Sequence, residues 1–346
     1  MSSPKTLNAG PKRPGDATEK KIALWAVNPF EEETRPSAAA IDELKKWAEA
    51  SGFLLQPVHV LYVSSIDAPP DDYGGWVRRF IPAVEVEVSK FLSGMDLPGI
   101  QAPKVLVHHG VSIHSAVDAL IHYAQDTHAA WILTSSKGRS GIRRMALGSF
   151  AESLLTRSPL PVWVFGHEKS ALLTSDRILF ATDFSDVSKA AFAQVIEQAK
   201  NLGSSVTLFH CVSLPEPMMS GAGAMGVSSP FPIDDYLRDQ TEWAKVRAAE
   251  WVKDAKKSGV KVDYVVKEVV PSIANSIVFE AALARAGVIA LASTRGAVSA
   301  VLLGSHARQV IRQSECPVWV FGPKCTAGSV AVTSEVTTKA RSVGAG

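Results

Sequence analysis

Two loops of the chain contain residues that could bind a ligand. In the first loop, SSKGRSGIRRMALGSF (135–150), Gly138 and Gly148 are separated by nine residues, and Ser149 follows at the start of a helical pattern. Glycines let the backbone approach an anion, and a helix N-terminus directs N–H groups and positive dipole towards it. This spacing predicts a phosphate-binding loop, in which Arg139 could add a charged hydrogen bond.

The second loop follows a predicted strand and contains Asp183, in the stretch ATDFS. A carboxylate at the carboxyl end of a strand can hydrogen-bond a nucleoside, and it can equally cap the helix that follows. Ser149 has a similar alternative, because Ser149 and Glu152 match the S-x-x-E capping box. Gly138 could also be an ordinary turn glycine that binds no ligand.

A long internal repeat shows how these loops are organised. The hexapeptide PVWVFG occurs at 161–166 and again at 317–322. Extended backwards without a gap, residues 148–166 match residues 304–322 at ten of nineteen positions. The chain is therefore interpreted as one unit of about 150 residues used twice.

Each unit alternates five apolar β-type runs with four helical patterns. Strands are predicted near 22–27, 57–63, 104–108, 131–134 and 161–165, and then at 177–182, 205–212, 261–266, 288–293 and 317–321. Helices are predicted near 37–51, 76–93, 113–126 and 149–157, and then at 186–203, 233–259, 272–286 and 305–314. This alternation is typical of an α/β protein with two tandem doubly wound, five-stranded parallel-sheet domains. Ligands on such sheets bind at the carboxyl ends of the strands, where the strand order switches, so the loops after the first and fourth strands are the expected sites.

Composition narrows the range of partners. The 346 residues are 46% hydrophobic and 20% charged with a net charge of +2, which favours neither a nucleic-acid partner nor a membrane surface. No apolar run is long enough to span a bilayer, and the first twenty residues lack the apolar core of a signal peptide. Three cysteines without CxxC spacing predict neither a disulfide framework nor a zinc site. A cytoplasmic location is expected.

At these residues the sequence resembles the universal stress protein family in its tandem two-domain form. The stretch ILFATDFSDVSKAAF (178–192) resembles the family's first strand and helix, and the glycine loop resembles its ATP-binding signature, G-x2-G-x9-G-[S/T]. The resemblance covers nearly all of residues 20–322 and implies a pocket for an adenine nucleotide, ATP or another, with Mg²⁺ only if ATP is bound. The implied ligand-binding residues are Val63, Gly138, Gly148 and Ser149 in the first half, and Asp183, Cys211, Gly296, Gly304 and Ser305 in the second.

Both halves depart from the family pattern. In the first half, Asn28 occupies the aspartate position and Ser135 the first signature glycine. In the second half, Ser293 occupies that glycine position, and only seven residues separate Gly296 from Gly304. We expect two missing residues to tighten this loop. The hypothesis is that any site is partly degenerate, with the first half better suited to phosphates and the second to the nucleoside.

The resemblance also predicts how the halves join. In this family the last strand commonly pairs with its counterpart from a second domain, so the two PVWVFG strands are expected to pair within one chain as a pseudo-dimer. Trp163 and Trp319 would then be packing residues. The predicted organisation is a flexible segment 1–20, domains 21–168 and 175–323, and a flexible tail 324–346.

No motif for catalysis accompanies these loops. GxxxxGK[ST], GxSxG and HExxH are all missing, and no nucleophile with an evident base is identifiable. A non-enzymatic stress-response protein with nucleotide pockets and an unknown protein partner is therefore favoured, and further homo-oligomerisation stays open. One alternative is an interaction scaffold that uses the loop 213–231 and binds no nucleotide. The other is a slow ATP hydrolase, for which we can identify neither the metal ligands nor a water-positioning group.

Overall fold

The computed structural model describes residues 21–31, 34–62, 73–108, 112–136, 147–165, 174–214, 232–268, 272–293, 304–322 and 325. Four of the expected site residues lie outside these ranges: Val63, Gly138, Arg139 and Gly296. The predicted flexible segments, apart from Cys325, and most of the loop 213–231 also lie outside them. The predicted domain bounds stay predictions.

The first half contains five strands and four helices. The strands are β1 (Ile22–Ala26), β2 (Leu54–Tyr62), β3 (Lys104–His108), β4 (Trp131–Ser135) and β5 (Val162–Phe165). The helices are α1 (Ala38–Ser51), α2 (Tyr73–Leu92), α3 (Ile113–Asp126) and α4 (Ser149–Arg157).

The second half repeats this order of elements. Its strands are β6 (Thr174–Ala181), β7 (Ser205–Cys211), β8 (Val262–Lys267), β9 (Ala286–Ala292) and β10 (Val318–Phe321). Its helices are α5 (Asp186–Leu202), α6 (Ile233–Lys256), α7 (Ile273–Leu283) and α8 (Ser305–Gln313).

All ten strands form one sheet in the order β3-β2-β1-β4-β5-β10-β9-β6-β7-β8. Pairing is parallel within each half and antiparallel between β5 and β10. One apolar cluster lies under α1, α2, α5 and α6, and a second lies under α3, α4, α7 and α8 on the opposite face. The tandem doubly wound fold is thus confirmed, and the strand order switches between β1 and β4 and between β6 and β9.

The sequence sets most helix ends through local hydrogen bonds. Serine side chains cap α1, α3, α5 and α7 by accepting from a backbone N–H in the first turn. Gly52 and Gly203 end α1 and α5 with φ values of 63° and 64°, a left-handed conformation that favours glycine. The predicted helix ends in these places are therefore close to the observed ones.

The start of β2 differs from the prediction. The strand begins at Leu54 rather than near residue 57, and it includes Pro57, which lies opposite Trp25 of β1. Proline cannot donate a ladder hydrogen bond, but the continuous pairing with β3 begins only at Val58, opposite Lys104. Pro57 therefore lies before the continuous pairing of β2 with β3 begins, on the side of β2 that faces β3.

The junction between the halves is symmetric about two tryptophans. Trp163 lies opposite Trp319, and the flanking pairs join Val162 to Val320 and Val164 to Val318. Because Trp163 and Trp319 are equivalent in the repeat, a pseudo-two-fold axis passes between them. Both side chains are buried, and their ring centroids lie 6.4 Å apart. The predicted pairing and the packing role of both tryptophans are confirmed.

Trp47 of α1 packs edge-on against both junction tryptophans. Its ring centroid lies 4.2 Å from that of Trp163 and 5.9 Å from that of Trp319. The indole Nε1 of Trp47 donates to Glu43 Oε1 over 2.9 Å, whereas no partner for the Nε1 of Trp163 or Trp319 is found among the described residues. Burial raises the pKa of Glu43, although the hydrogen bond from Trp47 lowers it.

These differences predict unequal costs for tryptophan-to-phenylalanine substitutions. Trp47→Phe removes the donor to a buried carboxyl group, which costs about 1–3 kcal/mol beyond the lost ring contacts. Trp163→Phe and Trp319→Phe remove an N–H for which the described residues offer no partner, so each should cost less. Urea unfolding of the three variants measures the difference, and equal losses would show that the Glu43 hydrogen bond contributes nothing.

Candidate functional site

The carboxyl edge of each half brings together the loops that the sequence singled out. In the first half, β1 and β4 are parallel neighbours, so Asn28 and Ser136 leave the sheet at the same edge. In the second half, β6 and β9 are likewise neighbours and place Asp183 and Ser293 there. Adjacent loops at a switch point form the crevice in which α/β sheets bind ligands.

The helices that start at this edge after the fourth strands have glycine caps. Gly148 caps α4 and Gly304 caps α8, and among the residues that the structure describes no side chain donates or accepts a cap hydrogen bond at either helix. The capping-box alternative for Ser149 is therefore wrong, because Ser149 is the first helical residue. Glu152 instead accepts from Arg308, with 2.5 Å between Oε1 and Nη2. The first-turn N–H groups of both helices are left without the side-chain acceptor that a serine cap provides, as an anion site requires.

Backbone hydrogen bonds show which residues of the two loops are equivalent. Ser136 N donates to Phe165 O over 2.8 Å, and Ser293 N donates to Phe321 O over 2.9 Å. Phe165 and Phe321 are equivalent in the repeat, so Ser293 corresponds to Ser136 and not to Ser135 as expected. A count of the motif from Gly138 does not detect that the strand before it is shifted by one residue relative to the strand of the other half.

This register changes the comparison of the two glycine loops. Residues 137–147 separate Ser136 from Gly148, and residues 294–303 separate Ser293 from Gly304. Counted from the strand end, the second loop is therefore one residue shorter than the first, whereas the spacing between the motif glycines differs by two residues. Gly148 N donates to Ser136 O over 2.9 Å, and Gly304 N donates to Ser293 Oγ over 3.3 Å, so both loops close on the strand end.

Asp183 is tied to the start of α5 without being its cap. Ser185 is the N-cap and accepts from Ser188 N. Asp183 Oδ1 accepts from the N–H of Ser185 at 3.0 Å and from the hydroxyls of Ser185 and Ser188 at 2.6 and 2.5 Å. Burial raises the pKa of Asp183, but these hydrogen bonds outweigh it and hold the pKa below its usual range. The second half thus has a fixed carboxylate at this edge.

Asn28 makes a different turn in the first half. Its Oδ1 accepts from Phe30 N over 3.2 Å, and its backbone oxygen accepts from Thr34 Oγ1 over 3.0 Å. An amide carries no charge, so the two crevices differ electrostatically at this position. The sequence had predicted this difference.

The sequence analysis missed two equivalent histidines. Ala26 pairs with Val58 and Ala181 with Phe209, so His59 and His210 hold the same position in β2 and β7. Both follow an apolar pair within the second strand of their half, and this shared position is the signal that could have revealed them.

Each histidine hydrogen-bonds the backbone beside the loop after the first strand. His59 Nδ1 lies 2.9 Å from Val27 O, and His210 Nδ1 lies 2.8 Å from Thr182 O. Burial lowers the pKa of both, more than the backbone hydrogen bonds raise it. Both rings are therefore neutral at physiological pH, with Nδ1 protonated to donate to the carbonyl.

The same register corrects the assignment late in the second strand. Cys211 follows His210 directly, so its counterpart in the first half is Val60 and not Val63. Cys211 is partly exposed at the end of β7.

The comparison with protein families identifies the family of the chain. The model of the universal stress protein family matches residues 31–166 and 174–322. The chain belongs to this family. A universal stress protein of Methanocaldococcus jannaschii is 32% identical over 150 residues, which cover 42% of this chain and 80% of that protein.

Two solved structures support the tandem fold of this universal stress protein. One from Archaeoglobus fulgidus, itself a universal stress protein, has a TM-score of 0.55 at 21% identity and covers 87% of this chain and 96% of its own. A functionally unknown protein from Pseudomonas aeruginosa has a TM-score of 0.53 at 15% identity and covers 93% and 98%. Among the described residues, no helix is long and apolar enough to span a membrane, and no group of three or more His, Cys, Asp or Glu is arranged to hold a metal ion.

The two buried histidines predict a specific pH dependence. Their pKa values are lower in the folded protein than the ordinary value of about 6.5, so the unfolded chain binds protons first as the pH falls. Their contribution to stability is complete above that pH and is lost below it. The double variant His59→Asn/His210→Asn keeps a donor near the Nδ1 position but does not titrate.

Thermal unfolding of this variant between about pH 7.5 and 5.5 should show a smaller loss of Tm than the wild type. His122→Asn replaces an exposed histidine and should leave the wild-type slope unchanged. An unaltered slope in the double variant would show that other groups cause the pH dependence.

Proposed function

We propose that this protein is a non-enzymatic stress-response regulator that binds an adenine nucleotide at the carboxyl edge of its sheet. The observation that carries the proposal is the repeated geometry at that edge. In both halves a glycine-capped helix starts beside the loop that follows the first strand, and no side chain in the described part of the chain caps its N–H groups. Such a helix start binds phosphate through its N–H groups and dipole.

The second half is the better candidate for the complete pocket. Asp183 supplies a fixed carboxylate for the nucleoside, where the first half has the amide of Asn28. The second glycine loop is shorter by only one residue, which weakens the reason to assign phosphate binding to the first half. In each half a neutral histidine, His59 or His210, supports the adjacent backbone.

Equilibrium titration with ATP, ADP and AMP, with and without Mg²⁺, tests this function. Asp183→Ala should weaken binding about 10- to 100-fold, since a hydrogen bond to a charged group contributes about 1.5–3 kcal/mol. Gly304→Trp should abolish binding in the second half, and Gly148→Trp should remove only binding in the first. Asp126→Ala makes the same change of charge at the end of α3 and serves as the matched control.

Three outcomes would contradict parts of the proposal. No saturable binding at millimolar nucleotide would reject nucleotide regulation. Loss of all binding in Gly148→Trp with full binding in Gly304→Trp would transfer the pocket to the first half. Phosphate release above background from ATP would favour the slow hydrolase.

A second candidate function, a protein-interaction scaffold, is favoured by the outer face of α7. Phe279 and Leu283 are 63% and 60% exposed, and Phe279 lines a cavity of about 590 Å³. At the corresponding place between α3 and α4, Asp118 and Arg157 form a salt bridge with contacts of 2.9 and 2.5 Å. A scaffold would bind its protein partner equally well with Gly148→Trp and Gly304→Trp.

A further inference from the structure

One ion pair joins equivalent positions of the two halves. Glu152 and Arg308 are each the fifth residue of their repeat, GSFAE and GSHAR. Arg308 Nη2 lies 2.5 Å from Glu152 Oε1, and the two side chains are about one-third exposed, at 34% and 37%. Equivalent residues contact each other across a two-fold axis only near that axis. The pair therefore lies close to the pseudo-two-fold, on the face covered by α4 and α8.

A symmetric pairing of identical halves could not form this contact. Two first halves would place Glu152 against Glu152, and two second halves would place Arg308 against Arg308. Like charges in contact repel, and a half-buried position screens the repulsion less than open water does. The mixed pairing is the arrangement in which the charges are opposite.

We propose that the Glu152–Arg308 pair makes the central junction selective for one first half and one second half. The partner that the β5–α4 edge fits is thus a β10–α8 edge, and the corresponding edge of another copy is rejected. Specificity of this kind arises from a penalty on the wrong partner as much as from attraction to the right one. A fused chain needs such a device, because each of its halves carries a strand that could pair with a like strand of another chain.

The strands themselves supply no such selectivity. β5 and β10 have the same sequence, Val-Trp-Val-Phe, so the ladder around Trp163 and Trp319 would form equally in all three pairings. The Lys21–Glu197 ion pair also joins the halves, but its side chains are 51% and 61% exposed, and such a pair discriminates weakly.

Trp47 is the strongest competing cause of selectivity. It packs on both junction tryptophans from the opposite face of the sheet. Counted back from the C-cap glycines Gly52 and Gly203, its counterpart in α5 is Gln198, so the two halves also differ in shape on that face. The test must therefore change the charges and leave Trp47 in place.

Charge reversal in the intact chain gives the first test. Glu152→Arg and Arg308→Glu each place like charges together and should lower Tm by about 2–4 °C. The double variant Glu152→Arg/Arg308→Glu restores an opposite pair and should recover most of that loss. Absence of recovery in the double variant would overturn the proposal, because a loss due only to altered packing would add up.

Selectivity itself is measured after cutting the folded chain. A protease site inserted between residues 169 and 170 allows the chain to be cut between its halves. Native mass spectrometry then counts pairs of unlike halves (mixed pairs) and pairs of identical halves (like pairs). The wild type should give mixed pairs alone. In Arg308→Glu every pairing opposes two glutamates, so the mixed fraction should fall towards random pairing, about half. The double reversal should return it to the wild-type value.

Mixed pairs alone in the cut Arg308→Glu protein would overturn the proposal and assign selectivity to the shape around Trp47. If the cut halves separate fully, the recovery measured in the intact chain decides the matter. Both measurements use the whole protein. If a single variant fails to fold, comparison with the double reversal shows this.

Discussion

The antiparallel pairing of β5 with β10 is the interaction on which the rest of the structure depends. Each strand has four buried residues and would be the edge of a five-stranded sheet if unpaired. An exposed apolar edge is a template for aggregation, and pairing the two edges removes it. Both apolar clusters contain residues from the two halves, so the halves share their cores across the junction. Neither half would keep its burial if the pairing were lost.

The same pairing determines where the candidate sites lie. α4 leads into β5 and α8 into β10, so each glycine-capped helix start belongs to the segment that forms the junction. The Glu152–Arg308 contact joins these two helices directly. The helix starts are thereby held by packing, which gives backbone N–H groups a fixed direction without a bound ligand. A preorganised donor set binds an anion with less loss of conformational entropy than a mobile loop would.

The repeat made the sheet and the junction predictable from sequence, because both follow from periodicity and from the identity of the two PVWVFG segments. The register within each half did not follow. Whether Ser135 or Ser136 corresponds to Ser293 depends on hydrogen bonds to Phe165 and Phe321, which are distant in sequence. The place of a deletion inside a loop leaves no local pattern, so the spacing between motif glycines does not give the difference in total loop length. His59 and His210 were missed for the same reason, since their equivalence appears only once the strands are paired.

Fusion of two units also explains why the halves differ where they do. In a dimer of identical chains, a change near the two-fold axis appears twice and meets itself, so an opposite-charge pair between equivalent positions is impossible. One chain with two halves escapes that constraint, and Glu152 with Arg308 is the result at the junction. The same freedom allows Asp183 in the second half where the first half has Asn28. It also allows a salt bridge between Asp118 and Arg157 where the second half has Val278 and Gln313. The halves thus differ both at the axis and at the carboxyl edge, two places where a dimer of identical chains would be symmetric.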